Sequence, residues 1–412
     1  MSAATITIAE LIHTGEAMLK TGPFETQLKA SEYVEYGTPV INVRNVGFGN
    51  LRADKLEYLP DHTVDRLRDH KIERGDIVFG RKGAVERHLF VRAEQEGWIQ
   101  GSDCLRLRIN SERVDPRFVS YCLLTSHHAQ WIQAQASHGA TMASLNQDIL
   151  GRIAIPRIEY GHQRGIADIL SAYDDLIENN TRRIAILEDM ARRLFEEWFT
   201  NVPEAQTPDG WFIGTVSEVA AYINRGIAPK YDENGASLII NQKCVRSRRL
   251  SLAPARRQSK PVSADKVVRS GDVLINSTGV GTLGRVAQVF DVPPGTTVDS
   301  HVTIVRPKPD VNPVWFGLAL LDKQSYFEDA GVGSTGQTEL SRTRIADTEL
   351  LIPAPEKAER FGAMIGPMRQ ETYALERANT NLRATRDLLL PKLISGEIEV
   401  CAAEEALETA AA

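Results

Sequence analysis

The chain is written twice. Sliding its 412 residues against themselves brings a second copy into register at an offset that drifts only between 196 and 199. Ile41-Asn42 aligns with Ile240-Asn241, Gly75-Asp76 with Gly271-Asp272, Ser102 with Ser300, Asp115-Pro116 with Asn312-Pro313, and Ile155-Pro156 with Ile352-Pro353. Five anchors in unbroken order mean that whatever fold one copy adopts, the other adopts too. A single core stops growing near roughly 250 to 300 residues, so two domains are expected on length as well.

Within each copy Gly-Asp precedes an apolar run, Ile77-Val78-Phe79 and Val273-Leu274-Ile275, followed by a polar turn and a second β-rich run. That pattern predicts strands joined by tight turns. Helical stretches follow at Pro116 to Gln135 and Pro313 to Glu328. The fold class expected is α+β: two similar mixed α/β domains of about 150 residues each, separated by two long helices.

The helices announce themselves after each Ile-Pro. Ile166, Leu170, Tyr173, Ile177, Asn180, Ile184, Leu187, Ala191, Leu194 and Trp198 step alternately by four and three, the seam of a coiled coil. Phe361, Ile365, Met368, Thr372, Leu375, Asn379, Leu382, Arg386, Leu389 and Leu393 repeat the rhythm. Two arrangements are open. Either each helix packs on its own domain, or the two run antiparallel in layers whose residue numbers sum to 559. The second puts Ile166 on Leu393, Ile177 on Leu382, Ile184 on Leu375 and Asn180 on Asn379, an amide layer that would fix register and relate the domains by a pseudo-two-fold axis. Gly366-Pro367 is expected to kink the second helix. The resulting division is 1–153, a first domain; 154–201, a central spacer helix; 202–352, a second domain; 353–397, a C-terminal spacer helix; and 398–412, an acidic, alanine-rich tail expected to be flexible.

Composition excludes several classes. Hydrophobic content of 42% and 25% charged residues sit in the globular range. No stretch approaches the roughly 20 apolar residues of a membrane span, and Met1 to Leu11 lack a basic secretory n-region, so no membrane association and a cytoplasmic location are expected. Cys104, Cys122, Cys244 and Cys401 are scattered without a CxxC, which argues against a disulfide framework or a zinc site. The net charge of -6 sits uneasily with binding a polyanion, yet seven basic and no acidic residues lie between Asn241 and Lys260.

Enzyme motifs fail on context. Gly279, Gly281 and Gly284 spell GxGxxG, but the following Arg285 to Phe290 alternates like a strand where a dinucleotide site needs a helix. No GxxxxGK[ST] phosphate loop and no Asn/Asp-Pro-Pro-Tyr-like methyltransferase segment appears. Acidic residues near Asp272 or Glu339 lack a metal-binding set. Catalysis on this chain is not expected.

Several segments together resemble a known family. Gly37 to Val46 in the first copy, and Arg225-Gly226-Ile227, Pro229-Lys230-Tyr231 and Asn241 to Arg246 in the second, look like openings of recognition domains. Gln163-Arg164-Gly165-Ile166-Ala167 opens the central helix, and Leu388 to Ile398 closes the second. In these the chain resembles the specificity subunit of type I restriction-modification systems over about residues 20 to 400; it departs at Ala358-Glu359-Arg360-Phe361, where a glutamine-type helix entry is missing. The resemblance implies a non-catalytic subunit that reads a split double-stranded DNA target and docks two adenine methyltransferase subunits and restriction/translocase subunits, with S-adenosylmethionine, ATP and magnesium held by those partners. The competing expectation is a coiled-coil interaction scaffold that binds no DNA sequence-specifically.

Phosphate contacts call for Lys and Arg, base discrimination for forked or amide groups. The expected DNA-contacting residues are Lys29, Arg44, Asn45, Arg81 and Lys82 in the first copy, and Asn241, Gln242, Lys243, Arg246, Arg248, Arg249, Ser277 and Thr278 in the second. Gly139-Ala140-Thr141 and Gly336-Gln337-Thr338 form glycine-rich approaches to the helices, either structural turns or phosphate contacts.

Overall fold

A computed structural model describes residues 4–24, 27–137, 143–200, 208–331 and 339–400. The chain forms two compact units, 1–178 with 379–412 and 179–378. Both glycine-rich approaches, at 139–141 and 336–338, and the tail from 401 onward lie outside the described residues.

In the first unit the main sheet runs in the order Ala17–Thr21, Cys104–Ile109, Ile77–Gly80, His88–Phe90, Phe48–Gly49. In the second it runs Ala220–Arg225, Val302–Pro307, Val273–Asn276, Val286–Gln288. Ile77–Gly80 and Val273–Asn276 are buried along their whole length, which is why they read as unbroken apolar runs rather than alternating ones. A smaller sheet repeats as well. Thr38–Ile41 pairs antiparallel with Glu57–Leu59 and parallel with Ile99–Gln100, and Ser237–Ile240 does likewise with Arg256–Gln258 and Thr297–Val298. The GxGxxG glycines fall in the turn between Val273–Asn276 and Val286–Gln288, which pair antiparallel, so no helix follows them.

The shared anchors acquire physical reasons. Asp76 and Asp272 are buried and each takes a two-pronged grip from an arginine of the neighbouring strand. Arg108 holds Asp76 at 2.7 Å on both oxygens, and Arg306 holds Asp272 at 2.8 Å on both. Asp115 and Asn312 cap the helices Pro116–Leu124 and Pro313–Asp322, with proline at the first helical position where no amide hydrogen is needed. The Ile-Pro pairs end the strands Ala154–Pro156 and Glu349–Ile352, which close each copy by pairing with Thr5–Thr7 and Phe212–Thr215. The long helix expected after each cap is instead two short ones, Pro116–Leu124 then Ser126–Ala136, and Pro313–Asp322 then Gln324–Asp329.

Two long helices, Tyr160–Phe195 and Pro355–Ser395, contribute segments to each unit. In the first unit Asp174 is ion-paired to Arg386 and the Asn379 side chain donates to the Ile177 carbonyl at 3.3 Å, so the segments run antiparallel. In the second unit Arg183 meets Glu371 at 2.7 Å and the Trp198 ring lies 5.6 Å from that of Phe361, again antiparallel. Trp198 with Phe361 is a layer the 559 rule gives, and the other contacts fall within about one and a half helical turns of it. Asn180 and Asn379 are both buried. The helix is unbroken through Gly366-Pro367, with the proline on its exposed face. At the helix entries, Gln163 accepts from the Asp115 amide at 3.0 Å and donates to the Arg113 and Ile158 carbonyls at 2.8 Å. In the second copy buried Ala358 stands one turn into its helix instead.

Candidate nucleic-acid interface

In both copies the central strand ends in a turn stitched at the same two points. The Arg81 amide donates to the Asp103 carbonyl, and the Arg81 carbonyl accepts from Leu145, both at 2.8 Å. Ser277 repeats this with His301 at 2.8 Å and Leu340 at 2.9 Å. The following residue is presented outward against the partner loop, and there the copies part. Lys82 lies 3.3 Å from Asp103, both more than half exposed. Thr278 instead shares a hydrogen bond of 2.6 Å with His301 Nδ1. One backbone frame thus offers a cation and a carboxylate in the first unit, a hydroxyl and an imidazole in the second. Groups of these kinds are complementary to different hydrogen-bonding edges.

Around the second turn, Gln242 packs against Gly279, where a Cβ would sit 2.9 Å from its Nε2. Arg225 reaches Glu339 at 2.6 Å beside the same loop. His301 is itself set by the carboxylate of Asp299, which accepts from the His301 amide at 2.9 Å and whose own pKa burial raises.

The basic stretch 241–260 divides into scaffold and surface. Arg249 grips Glu188 on the central helix and reaches Glu376 on the C-terminal helix at 3.1 Å; the bond to Glu188 raises the arginine's pKa, while burial raises that of Glu376. Arg256 covers the Tyr231 ring at 3.7 Å, Arg257 donates to the Gly235 carbonyl at 3.0 Å, and Lys260 to that of Ala228 at 3.3 Å. Lys243, Arg246 and Arg248 are exposed and make no ion pair among the described residues. Arg246 and Arg248 sit on a hairpin, Val245–Arg246 with Arg249–Leu250, whose two turn residues Ser247 and Arg248 have φ of 53 and 61°. Two consecutive left-handed residues without glycine cost roughly 1–2 kcal/mol each. The Arg249 anchor holds the strained turn in place.

The structure redirects several expected contacts. Asn45 is buried, and its side chain is spent inside its own loop, accepting from the Asn42 amide at 3.1 Å and donating to the Arg52 and Asp54 carbonyls at 3.0 and 3.1 Å. Asn241 is likewise consumed, accepting from the Lys243 amide and donating to the Pro254 carbonyl at 2.7 Å. Ser277 is buried against the Thr303 hydroxyl at 2.6 Å. These three shape the loops, and Arg249 positions one, because short polar side chains beside a turn find backbone partners first. Arg44 is exposed but paired with Glu57 at 2.7 Å, Lys29 is exposed, and Arg81 is half-buried with Nε enclosed and unpartnered among the described residues. Asp103, His301, Arg225 and Glu339 were not among the expected contacts because they join the turns from segments remote in the chain; only alignment of the two copies beyond the five anchors would have raised them.

A family model described as the type I restriction modification DNA specificity domain matches residues 6–189, the first copy and most of the central helix. A type I restriction enzyme MjaIX specificity subunit from Methanocaldococcus jannaschii is 24% identical over 317 residues, covering 71% of each chain. The first copy thus matches the type I specificity domain, and the chain is similar to type I specificity subunits over most of its length. The HindI specificity subunit of Haemophilus influenzae is 20% identical over 408 residues, 79% of this chain and 87% of that one. The crystal structure of a type I S subunit from M. genitalium matches with a TM-score of 0.64 over 95% of this chain and 96% of that one at 16% identity, a likeness of fold. Among the described residues no helix is long and apolar enough to cross a membrane.

Proposed function

We infer that the chain is a non-catalytic specificity subunit that reads a two-part DNA target, one part per copy, and docks the methyltransferase and restriction subunits that act on it. The observation that carries the reading is the duplicated turn: identical stitching of Arg81 and Ser277, with Lys82 and Asp103 presented in one copy and Thr278 and His301 in the other. A duplication kept only to hold partners together has no use for divergent polar groups on a preserved frame, whereas a reader of two different half-sites requires them. The exposed Lys243, Arg246 and Arg248 of the second copy supply phosphate attraction despite the chain's negative charge.

In this reading two adenine methyltransferase subunits and the restriction/translocase subunits assemble on the chain in the cytoplasm and hold S-adenosylmethionine, ATP and magnesium. Lys82, Thr278, Gln242 and the exposed hairpin arginines touch DNA, while Asn45, Asn241, Ser277 and Arg249 hold the loops that present them. Fluorescence anisotropy on duplex DNA, with the methyltransferase subunit co-purified, tests this. The expected result is binding that prefers the modified sequence and weakens steeply with salt; binding indifferent to sequence, or none, returns the chain to a scaffold.

A further inference from the structure

The second turn carries a residue that polar readout does not use. Val280 is 89% exposed, the most exposed of the large apolar side chains among the described residues, and sits two residues beyond Thr278. The turn of the first copy, Arg81-Lys82-Gly83-Ala84, closes two residues sooner, and the position of Val280 holds the smaller, half-buried Ala84.

The loop under Val280 is held firmly. The Thr282 and Leu283 amides donate to the Gly279 carbonyl at 3.1 and 3.0 Å, and the Gly284 amide to the Asn276 carbonyl at 2.8 Å. Arg285 donates to the Gly281 carbonyl at 2.7 Å, and Asn276 to that of Thr282 at 3.0 Å. Gly279 and Gly281, with φ of 113 and 70°, take the conformations that lift the valine clear of the surface. A β-branched side chain has little freedom at χ1, so its two methyls are presented in one orientation. A rigid loop that holds an apolar group in water beside polar groups suited to base edges is arranged to bury that group on the ligand.

We propose that Val280 is a specificity-determining residue that packs on the C5-methyl of a thymine in the major groove of the half-site read by the second copy. This rests on the DNA-reading function above. The major groove offers one apolar group to a protein, the thymine methyl, and a half-site read for adenine modification always contains the thymine paired with that adenine. Valine is too small to stack on a base and carries no donor or acceptor, so hydrogen-bonded edges give it nothing.

The test uses the chain assembled with its methyltransferase subunits and duplexes carrying its mapped target, in which each thymine of that half-site is replaced singly by uracil, which lacks the methyl. At one position uracil is expected to weaken binding by about fourfold, the worth of one buried methyl. Val280→Ser is expected to bind thymine and uracil duplexes alike at that position, and Val280→Ile to keep the discrimination. Both variants are expected to melt with the parent protein, because the side chain touches solvent. The proposal is overturned if uracil is tolerated at every position, or if its effect persists undiminished in Val280→Ser. Loss of preference for the target over unrelated DNA in the unaltered assembly would instead overturn the DNA-reading function itself.

Discussion

The two copies share a skeleton and differ in what they bury and what they show. Both keep the aspartate gripped by an arginine, the capped helix and the stitched turn. In the first unit His88 is buried against Ser120 at 2.8 Å, where the matching strand of the second begins with Val286. At the surface the first unit pairs Phe48–Gly49 with His88–Phe90, while the second extends a hairpin bearing Arg246 and Arg248. What stayed alike after duplication is what the fold needs; what diverged at preserved positions marks the surface free to change.

The largest effect should fall on the shared skeleton. Asp76→Ala and Asp272→Ala each remove the buried carboxylate that holds a partly buried guanidinium, and a broken buried pair costs about 3–5 kcal/mol. Comparable losses in thermal unfolding are expected from both; tolerance of one would show that the copies are not held alike. Next comes acid. Burial pushes His88 down to about 4 from the usual 6.5, so between these values the unfolded chain takes up a proton that the folded first unit refuses. Stability of that unit is therefore lost as pH falls through this window, by on the order of 3 kcal/mol in full. Hydrogen exchange should show the first unit opening before the second, and His88→Val should narrow the difference, the remainder resting on His70 and His128, whose pKa values burial also lowers. The smallest effect concerns the hairpin. Arg246→Ala and Arg248→Ala should each reduce the slope of log affinity against log salt by about 1 without altering which sequence is preferred.

Much of this architecture was legible because it rests on local chemistry written twice. Gly-Asp marks a buried strand start, Asp/Asn-Pro a helix cap, and the alternating four-and-three spacing an antiparallel helix pair that each unit contains. What stayed hidden was set by long-range contact. Nothing near Asp76 or Asp272 announces Arg108 or Arg306, which arrive from a strand some thirty residues on. Polar residue type pointed equally to Asn45, which turns inward, and to Lys243, which faces water, because burial and not identity separates a loop brace from a contact.

The central claim is that each copy reads its own part of the target. Its most direct test replaces residues 205 to 350 with the same segment of a relative that modifies a different sequence, then maps modified adenines in cells that also carry the methyltransferase subunit. One half of the modified sequence should change to the relative's while the other half stays as it was. A change in both halves, or in neither, would contradict the account.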